Sequence, residues 1–409
     1  MIGSRKTAWI GAACLVLVAV WMADGWNRPT SVTDFAAYWT AGRELSAGRN
    51  PYNTDSIFAL EQQLGFTGRK PLIMRNPPWV LPFALPFGLL SYSMAQRMWL
   101  GICLAAILAS CHLLWRLYGE TKHPYWLAWA LSAAFLPVAT VLALGQIGPL
   151  ILLGVVGFLD GEHQRRDGWA GAHAFLIALK PHLVFLFWPA LLLWTAWYRR
   201  WRAVLGLAAG LCVASLIPIM FDRRIFADYF ELWKRAGIAE ELTPTPSGAL
   251  RLLFGLEHRW LQFLPAVVAL IWFLNHWRRV RGDWRWPEQM PWLLLVSLAA
   301  TPYAWFFDQV TLLPCVLQVA AAVMAARRRN WLWPALIYLS TNGVTLALIL
   351  AHRTTFWYAW TAPFWLVLYS LLYRGGIRWS RPDHRDDHGG KDVIRSAGWR
   401  YLPGNLPEK

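Results

Sequence analysis

Apolar positions along this chain fall into long, nearly uninterrupted runs separated by short polar stretches. The runs lie near 8–24, 78–91, 95–117, 124–144, 147–160, 169–181, 183–198, 203–221, 259–277, 290–307, 309–326, 331–350 and 356–373. Many approach or exceed the roughly 17–25 residues that a helix needs to cross a bilayer. They are continuously apolar, whereas a spanning β-strand alternates apolar and polar residues. The pattern predicts an all-α polytopic membrane protein.

Short basic stretches sit between the runs: Arg165-Arg166, Arg199-Arg200 with Arg202, Arg278-Arg279 with Arg281 and Arg285, and Arg327-Arg328-Arg329. Loops of this kind belong on the cytoplasmic side of a membrane. The basic N-terminus (Arg5, Lys6) and the basic tail after Arg374 want the cytoplasm too, which requires an even number of crossings. Among thirteen candidate runs, something must therefore be re-entrant, merged or broken. The short run at 78–91 and the proline-interrupted pair around Lys180-Pro181 are the best candidates, because irregular backbone survives at membrane depth only where protein or a cavity covers it.

With the N-terminus inside, a loop from about 25 to 76 lies outside. Within it Phe35, Tyr38, Trp39, Gly42 and Leu45 recur at helical spacing, predicting an amphipathic helix on the membrane surface, with Arg43 and Glu44 facing elsewhere. Thr33 or Asp34 can cap its start, and Gly48 followed by Pro51 ends it. A second short helix is expected at about 54–64. Another outer loop spans about 222–258, with Tyr229, Phe230, Trp233, Leu250 and Leu253 as interfacial contacts.

Composition agrees with this picture. Of 409 residues 57% are hydrophobic and 15% charged, and the mean hydropathy is +0.34, too apolar for an ordinary soluble domain. The net charge of +16 is accounted for by the basic loops, so nucleic acid is not an expected partner. The five cysteines lie inside apolar runs with no metal-type spacing, so neither a disulfide framework nor a zinc site follows. Residues 379–409, rich in Arg, Asp, His and Gly, read as a disordered cytoplasmic tail, after a transmembrane domain at 1–378.

The polar residues inside this apolar chain are the candidates for chemistry. Asp34 reads either as a helix cap or as a general base where a lipid-borne substrate leaves the bilayer. Lys180 is costly in its apolar surroundings unless it faces a cavity or an anion, or snorkels to the outer interface; on either reading it can bind phosphate. Gln146, beside Gly145, is interhelical glue or a ligand. Asp308 breaks another apolar run and must face water, a partner or a substrate. Arg75, His352 and Arg353 supply further outer cations, and Tyr38 lies on the first-loop helix as a possible substrate contact. All these fall at or near one face, which suits an enzyme acting on lipid-linked substrates. A lipid-linked sugar transporter or flippase is the alternative, and would place polar residues at the midplane in paired halves.

The order of motifs carries a resemblance. Thr33-Asp34-Phe35 through Tyr38-Trp39, Ala41-Gly42, Gly48 and Asn50-Pro51-Tyr52 is followed by Asn76-Pro77-Pro78 with Leu85-Pro86, then Gly145-Gln146, Leu179-Lys180-Pro181, and Pro302-Tyr303-Ala304-Trp305 with Asp308. Over about 30–320 this resembles glycosyltransferase family 87. The resemblance implies a GT-C-type bundle of about 12 transmembrane helices in the plasma membrane, both termini cytoplasmic and the active site extracytoplasmic. It implies transfer of a hexose, mannose-like, from a polyprenyl-phosphate carrier to a glycolipid or glycan acceptor, with inversion, Asp34 as base, and no cofactor or metal beyond the lipid-phosphate sugar. Lys180 and Arg75 would meet the phosphate, with His352 and Arg353 in reserve. Many family members carry histidines after the Pro-x-x-Trp motif, where this chain has Phe306-Phe307-Asp308. A histidine's role therefore does not carry over there, and Asp308 is the substitute.

Overall fold

The computed structural model describes residues 31–119, 124–235, 242–325, 332–353 and 355–374. The first apolar run at 8–24, the basic cluster at 327–329 and the tail at 379–409 lie outside them. Among the described residues the chain is all helix, with no strand. The helices are α1 (Phe35–Ser46), α2 (Thr54–Gln63), α3 (Leu81–Gly88), α4 (Tyr92–Tyr118), α5 (Tyr125–Ala134), α6 (Leu136–Leu144), α7 (Gly148–His163), α8 (Asp167–Ile177) and α9 (Phe187–Tyr198). They continue as α10 (Trp201–Phe221), α11 (Ile225–Arg235), α12 (Pro246–Phe254), α13 (Leu264–Val280), α14 (Trp286–Ala300), α15 (Leu313–Ala325), α16 (Leu332–Leu350) and α17 (Thr361–Arg374).

Every apolar run within the described residues contributes a helix, but few become a full span. Four helical stretches are long and apolar enough to cross a membrane: Tyr92–Tyr118, Trp201–Phe221, Phe306–Ala325 and Leu332–Leu350. The bent pair α5 and α6 would make a fifth. Phe306–Ala325 is the most enclosed of the four, whereas α10 turns Leu205, Val213, Leu216 and Met220 outward. An apolar helix exposed in this way suits a lipid surround rather than water.

The run at 124–144 was expected to be continuous and is not. It bends by 69° between α5 and α6, where Pro137 sits in the first turn of α6 and cannot continue a hydrogen-bond ladder. The freed N–H of Leu136 donates to Asn342 Oδ1 of α16 at 2.8 Å. The two breaks expected from sequence are present: 78–91 gives a 3₁₀ turn and the short α3, and residues 178–186 separate α8 from α9 without helix.

The first-loop helix departs from expectation. Ten of the twelve residues of α1 are buried, so it is a core element rather than a surface one. Small residues make this possible. A side chain at Gly42 would run into the backbone of Ala84, and one at Gly88 into that of Gly42 and Arg43. The α1 and α3 backbones therefore touch, as small residues allow in membrane helices. Arg43 stays exposed over Trp39, while Glu44 is buried against Arg49 (2.6 Å). In the second loop Phe230 and Leu253 project outward as expected, but Tyr229 turns inward onto Tyr52.

The α2 helix forms within the expected 54–64 range, behind an Asn53 cap. Its Glu61 is buried, and both carboxylate oxygens accept the N–H of Leu72 (3.1 and 3.0 Å). Burial raises its pKa from 4.5 to about 7, against the pull of the Leu72 hydrogen bond. The unfolded chain releases this proton near 4.5 and the folded chain holds it to about 7, so stability falls as pH rises between those values. Glu61→Gln keeps an oxygen for Leu72 and removes the titration. Melting temperatures across this range are expected to slope less in the variant; superimposable profiles would show that Glu61 titrates normally.

Candidate functional site

The site is assembled where three interruptions of helix meet: the start of α1, the Gly145-Gln146 turn between α6 and α7, and the 178–186 break. A fourth segment, the 3₁₀ turn Phe306–Leu312, closes it.

Asp34 occupies the cap position of α1, but its side chain makes no capping bond. Its Oδ2 instead accepts Gln146 Nε2–H at 2.8 Å. The capping reading therefore fails in structural terms, because the carboxylate is committed across 112 residues of sequence. Its other oxygen, Oδ1, takes no hydrogen bond from a described residue.

Gln146 is aimed by local geometry. Gly145 is left-handed (φ 70°), and a Cβ there would press on Phe35 of α1 at 2.7 Å. Only glycine suits such a position without cost. The Gly145 carbonyl accepts the indole N–H of Trp99 at 2.7 Å, and the Trp99 ring stacks on both Phe35 and Tyr38. Gln146 Oε1 then accepts the Tyr38 hydroxyl (3.2 Å) and Lys180 Nζ (3.1 Å).

Lys180 rises from the break after α8. That break is held by side chains rather than by helix: Asn76 Nδ2 donates to the Leu179 carbonyl (2.9 Å) and Trp79 Nε1 to that of Ala178 (2.8 Å). Farther on, Thr301 Oγ1 donates to the His182 carbonyl (3.1 Å), and the Leu186 N–H donates to Ser297 Oγ (3.2 Å). The Lys180 ammonium pairs with Asp308 Oδ1 at 2.9 Å, the side chains being 11% and 1% exposed, and lies over the Phe307 ring at 5.2 Å. Asp308 Oδ2 accepts the Trp305 N–H at 2.9 Å.

Asp34, Tyr38, Gln146, Lys180 and Asp308 thus form one connected network. Arg75, His352 and Arg353 are not bonded to it. The Arg75 carbonyl accepts Tyr229 OH (3.4 Å). His352 and Arg353 are exposed in the turn after α16, with the Arg353 guanidinium over Trp357. Asn76, Trp79 and Trp99 had no role assigned from sequence. Their signal was weak: a polar atom or an indole N–H inside or beside an apolar run, next to proline in two cases. Among the described residues no group of three or more His, Cys, Asp or Glu is gathered as a metal site needs.

Electrostatically, burial pushes the Asp34 carboxyl above its ordinary value of 3.8, more than the Gln146 hydrogen bond and the Lys180 charge pull it down; the Asp308 charge adds to the rise. A carboxylate raised in this way is a stronger base than a solvated one. Lys180 spends one N–H on Asp308 and one on Gln146, leaving a third to donate to an anion. The network can therefore accept a proton at one end and stabilise negative charge at the other.

The family model of glycosyltransferase family 87 matches residues 75–287, just over half of the chain. The chain belongs to that family. No curated protein and no solved structure matches it. The match takes in Arg75, Gln146 and Lys180, begins after Asp34 and ends before Asp308. With membrane-length helices and membership of a glycosyltransferase family, the protein is a membrane glycosyltransferase.

Removing one partner of a buried ion pair strands the other charge, at a cost of about 3 kcal/mol. Lys180→Met is expected to lower the melting temperature of the purified protein, and Lys180→Met with Asp308→Leu to recover most of the loss. A single variant as stable as the wild type would show that Asp308 is solvated.

Proposed function

We propose that this protein moves a hexose, mannose-like, from a polyprenyl-phosphate carrier to a hydroxyl of a lipid or glycan acceptor, inverting the anomeric carbon. The observation that carries the reading is the Asp34–Gln146–Lys180 chain, in which an uncommitted carboxylate oxygen and an uncommitted ammonium proton are held one amide apart. The acceptor oxygen attacks the anomeric carbon while its proton passes to Asp34 Oδ1. The bond from that carbon to the phosphate oxygen breaks, and the lipid phosphate leaves with the bonding electrons. Lys180 stabilises the charge that develops there, the kind of preorganised contribution that dominates many enzymes. Displacement from the face opposite the phosphate inverts the centre. Arg75, His352 and Arg353 have no part in this step as drawn.

The architecture proposed around it is a GT-C-type bundle of about 12 spans in the plasma membrane, with cytoplasmic termini and the Asp34 end extracytoplasmic. Basic clusters at 165–166, 199–202 and 278–285 support that orientation, since each lies at the helix ends away from the Gly145 and Lys180 breaks. A lipid-linked sugar transporter or flippase would share a buried charge pair at a broken helix, but it needs no base.

Asp34→Asn decides between them. Membranes carrying the variant are expected to lose transfer of labelled sugar from a polyprenyl-phosphate donor by about 100-fold or more, the scale of a general base, with the protein still folded. Undiminished transfer would remove Asp34 from the mechanism. The wild-type rate is expected to fall on acidification, as the base becomes protonated, with a midpoint above the ordinary aspartate value of 3.8. A midpoint at or below it would show that the titrating group is not this carboxylate.

A further inference from the structure

Beside this network the imidazole of His182 carries a buried polar atom with no hydrogen-bond partner among the described residues. His182 lies two residues after Lys180 in the same non-helical break, and its Nε2 is buried without a hydrogen bond. A buried polar atom left unpaired is destabilising, and native structures keep such atoms where something else completes them.

The ring is also held firmly. Thr301 Oγ1 donates to its backbone carbonyl at 3.1 Å, and the ring meets Tyr303 edge-on, centroids 5.7 Å apart at 77°. Tyr303 OH accepts Trp305 Nε1–H (3.2 Å), so the histidine leans on the segment that delivers Asp308 to Lys180. In the tautomer with the proton on Nε2, Lys180 cannot be its partner, since both are donors.

A departing phosphate raises the demand for donors. It leaves as a charged group with several acceptor oxygens, whereas Lys180 retains one free N–H after Asp308 and Gln146 have taken theirs. We propose that His182 is a second phosphate ligand of the site, its Nε2–H donating to a phosphate oxygen of the isoprenyl carrier. This rests on the reading of the site as one for a lipid-phosphate sugar. The Lys180-Pro181-His182 turn then acts as one anion-holding unit, an ammonium and an imidazole N–H carried on a backbone that Asn76, Trp79 and Thr301 fix.

The test uses the purified full chain in detergent micelles, with farnesyl phosphate as the probe, farnesol as its phosphate-free counterpart and inorganic phosphate as its lipid-free one. Binding is followed by tryptophan fluorescence. A hydrogen bond to a charged group predicts that His182→Phe weakens farnesyl phosphate binding about tenfold or more, leaves farnesol binding unchanged, and is rescued to within about threefold by His182→Gln, whose amide N–H replaces the donor. A histidine serving only structure would weaken both lipids alike, and that result overturns the proposal. So does an unchanged farnesyl phosphate affinity in His182→Phe alongside a loss in Lys180→Met, which leaves the phosphate reading of the site standing. If the wild type does not prefer farnesyl phosphate to farnesol, the phosphate reading itself falls, and this inference with it. If inorganic phosphate binds as tightly as farnesyl phosphate, the ligand is free phosphate and the proposal as stated is overturned. A measurement on the wild type covers the case in which His182→Phe does not fold: the isotope-labelled His182 Nε2 signal is expected to shift with farnesyl phosphate and not with farnesol. No shift overturns the proposal.

Discussion

The Lys180 ammonium is the constraint on which the rest of the site depends. A cation among apolar helices is costly unless partners replace its water. Here the partners are Asp308, Gln146 and the face of Phe307. They come from two segments, Gln146 from one and Phe307 with Asp308 from the other, so one charge ties the 178–186 break to the α6–α7 turn and to the 3₁₀ entry of α15. Asp308 depends on it in return: at 1% exposure the carboxylate has no water to fall back on. A buried pair of this kind contributes little net stability, because desolvation opposes the attraction. What it favours is register, since parting these segments would leave both charges buried and unpaired.

The same reasoning extends to the backbone. Breaking a helix within an apolar bundle strands N–H and C=O groups that water would otherwise satisfy. This chain meets the need with side chains. Trp99 holds Gly145, Asn76 and Trp79 hold Leu179 and Ala178, Thr301 holds His182, Ser297 holds Leu186 and Asn342 holds Leu136. All six are polar groups placed on regular or proline-stiffened segments, so the irregular stretches inherit the rigidity of their neighbours. Preorganisation is what a site stabilising transient charge requires.

Burial cost explains which of these features could be seen in the sequence. Gln146, Lys180 and Asp308 stood out because a polar residue in an apolar run has to be accounted for by a partner, and all three have one. Arg75, His352 and Arg353 were chosen as cations expected at the outer face. An exposed turn, where His352 and Arg353 sit, tolerates a charge at little cost, so its presence there says nothing about a site. The α5–α6 bend was hidden because Phe135-Leu136-Pro137 stays apolar through the break. The α1 helix looked amphipathic because Arg43 and Glu44 follow its apolar stripe, yet Glu44 is buried against Arg49 and Gly42 lets α3 cover the remaining side. Asp34 was legible as polar, but its spacing spoke only of its own helix, and Gln146 lies far away in the chain.

The spacing of the charges has a consequence for Asp34. Had Lys180 contacted it directly, the ammonium would have stabilised the carboxylate and weakened it as a base. Gln146 stands between them, donating to Asp34 and accepting from Lys180, and an amide carries no net charge. Asp308 draws on the same ammonium from the other side and adds its own repulsion. Burial is the largest influence on Asp34, and it prevails over both the amide hydrogen bond and the more distant cation. The network therefore keeps a cation near enough to receive an anion, yet distant enough that the carboxylate retains its affinity for a proton.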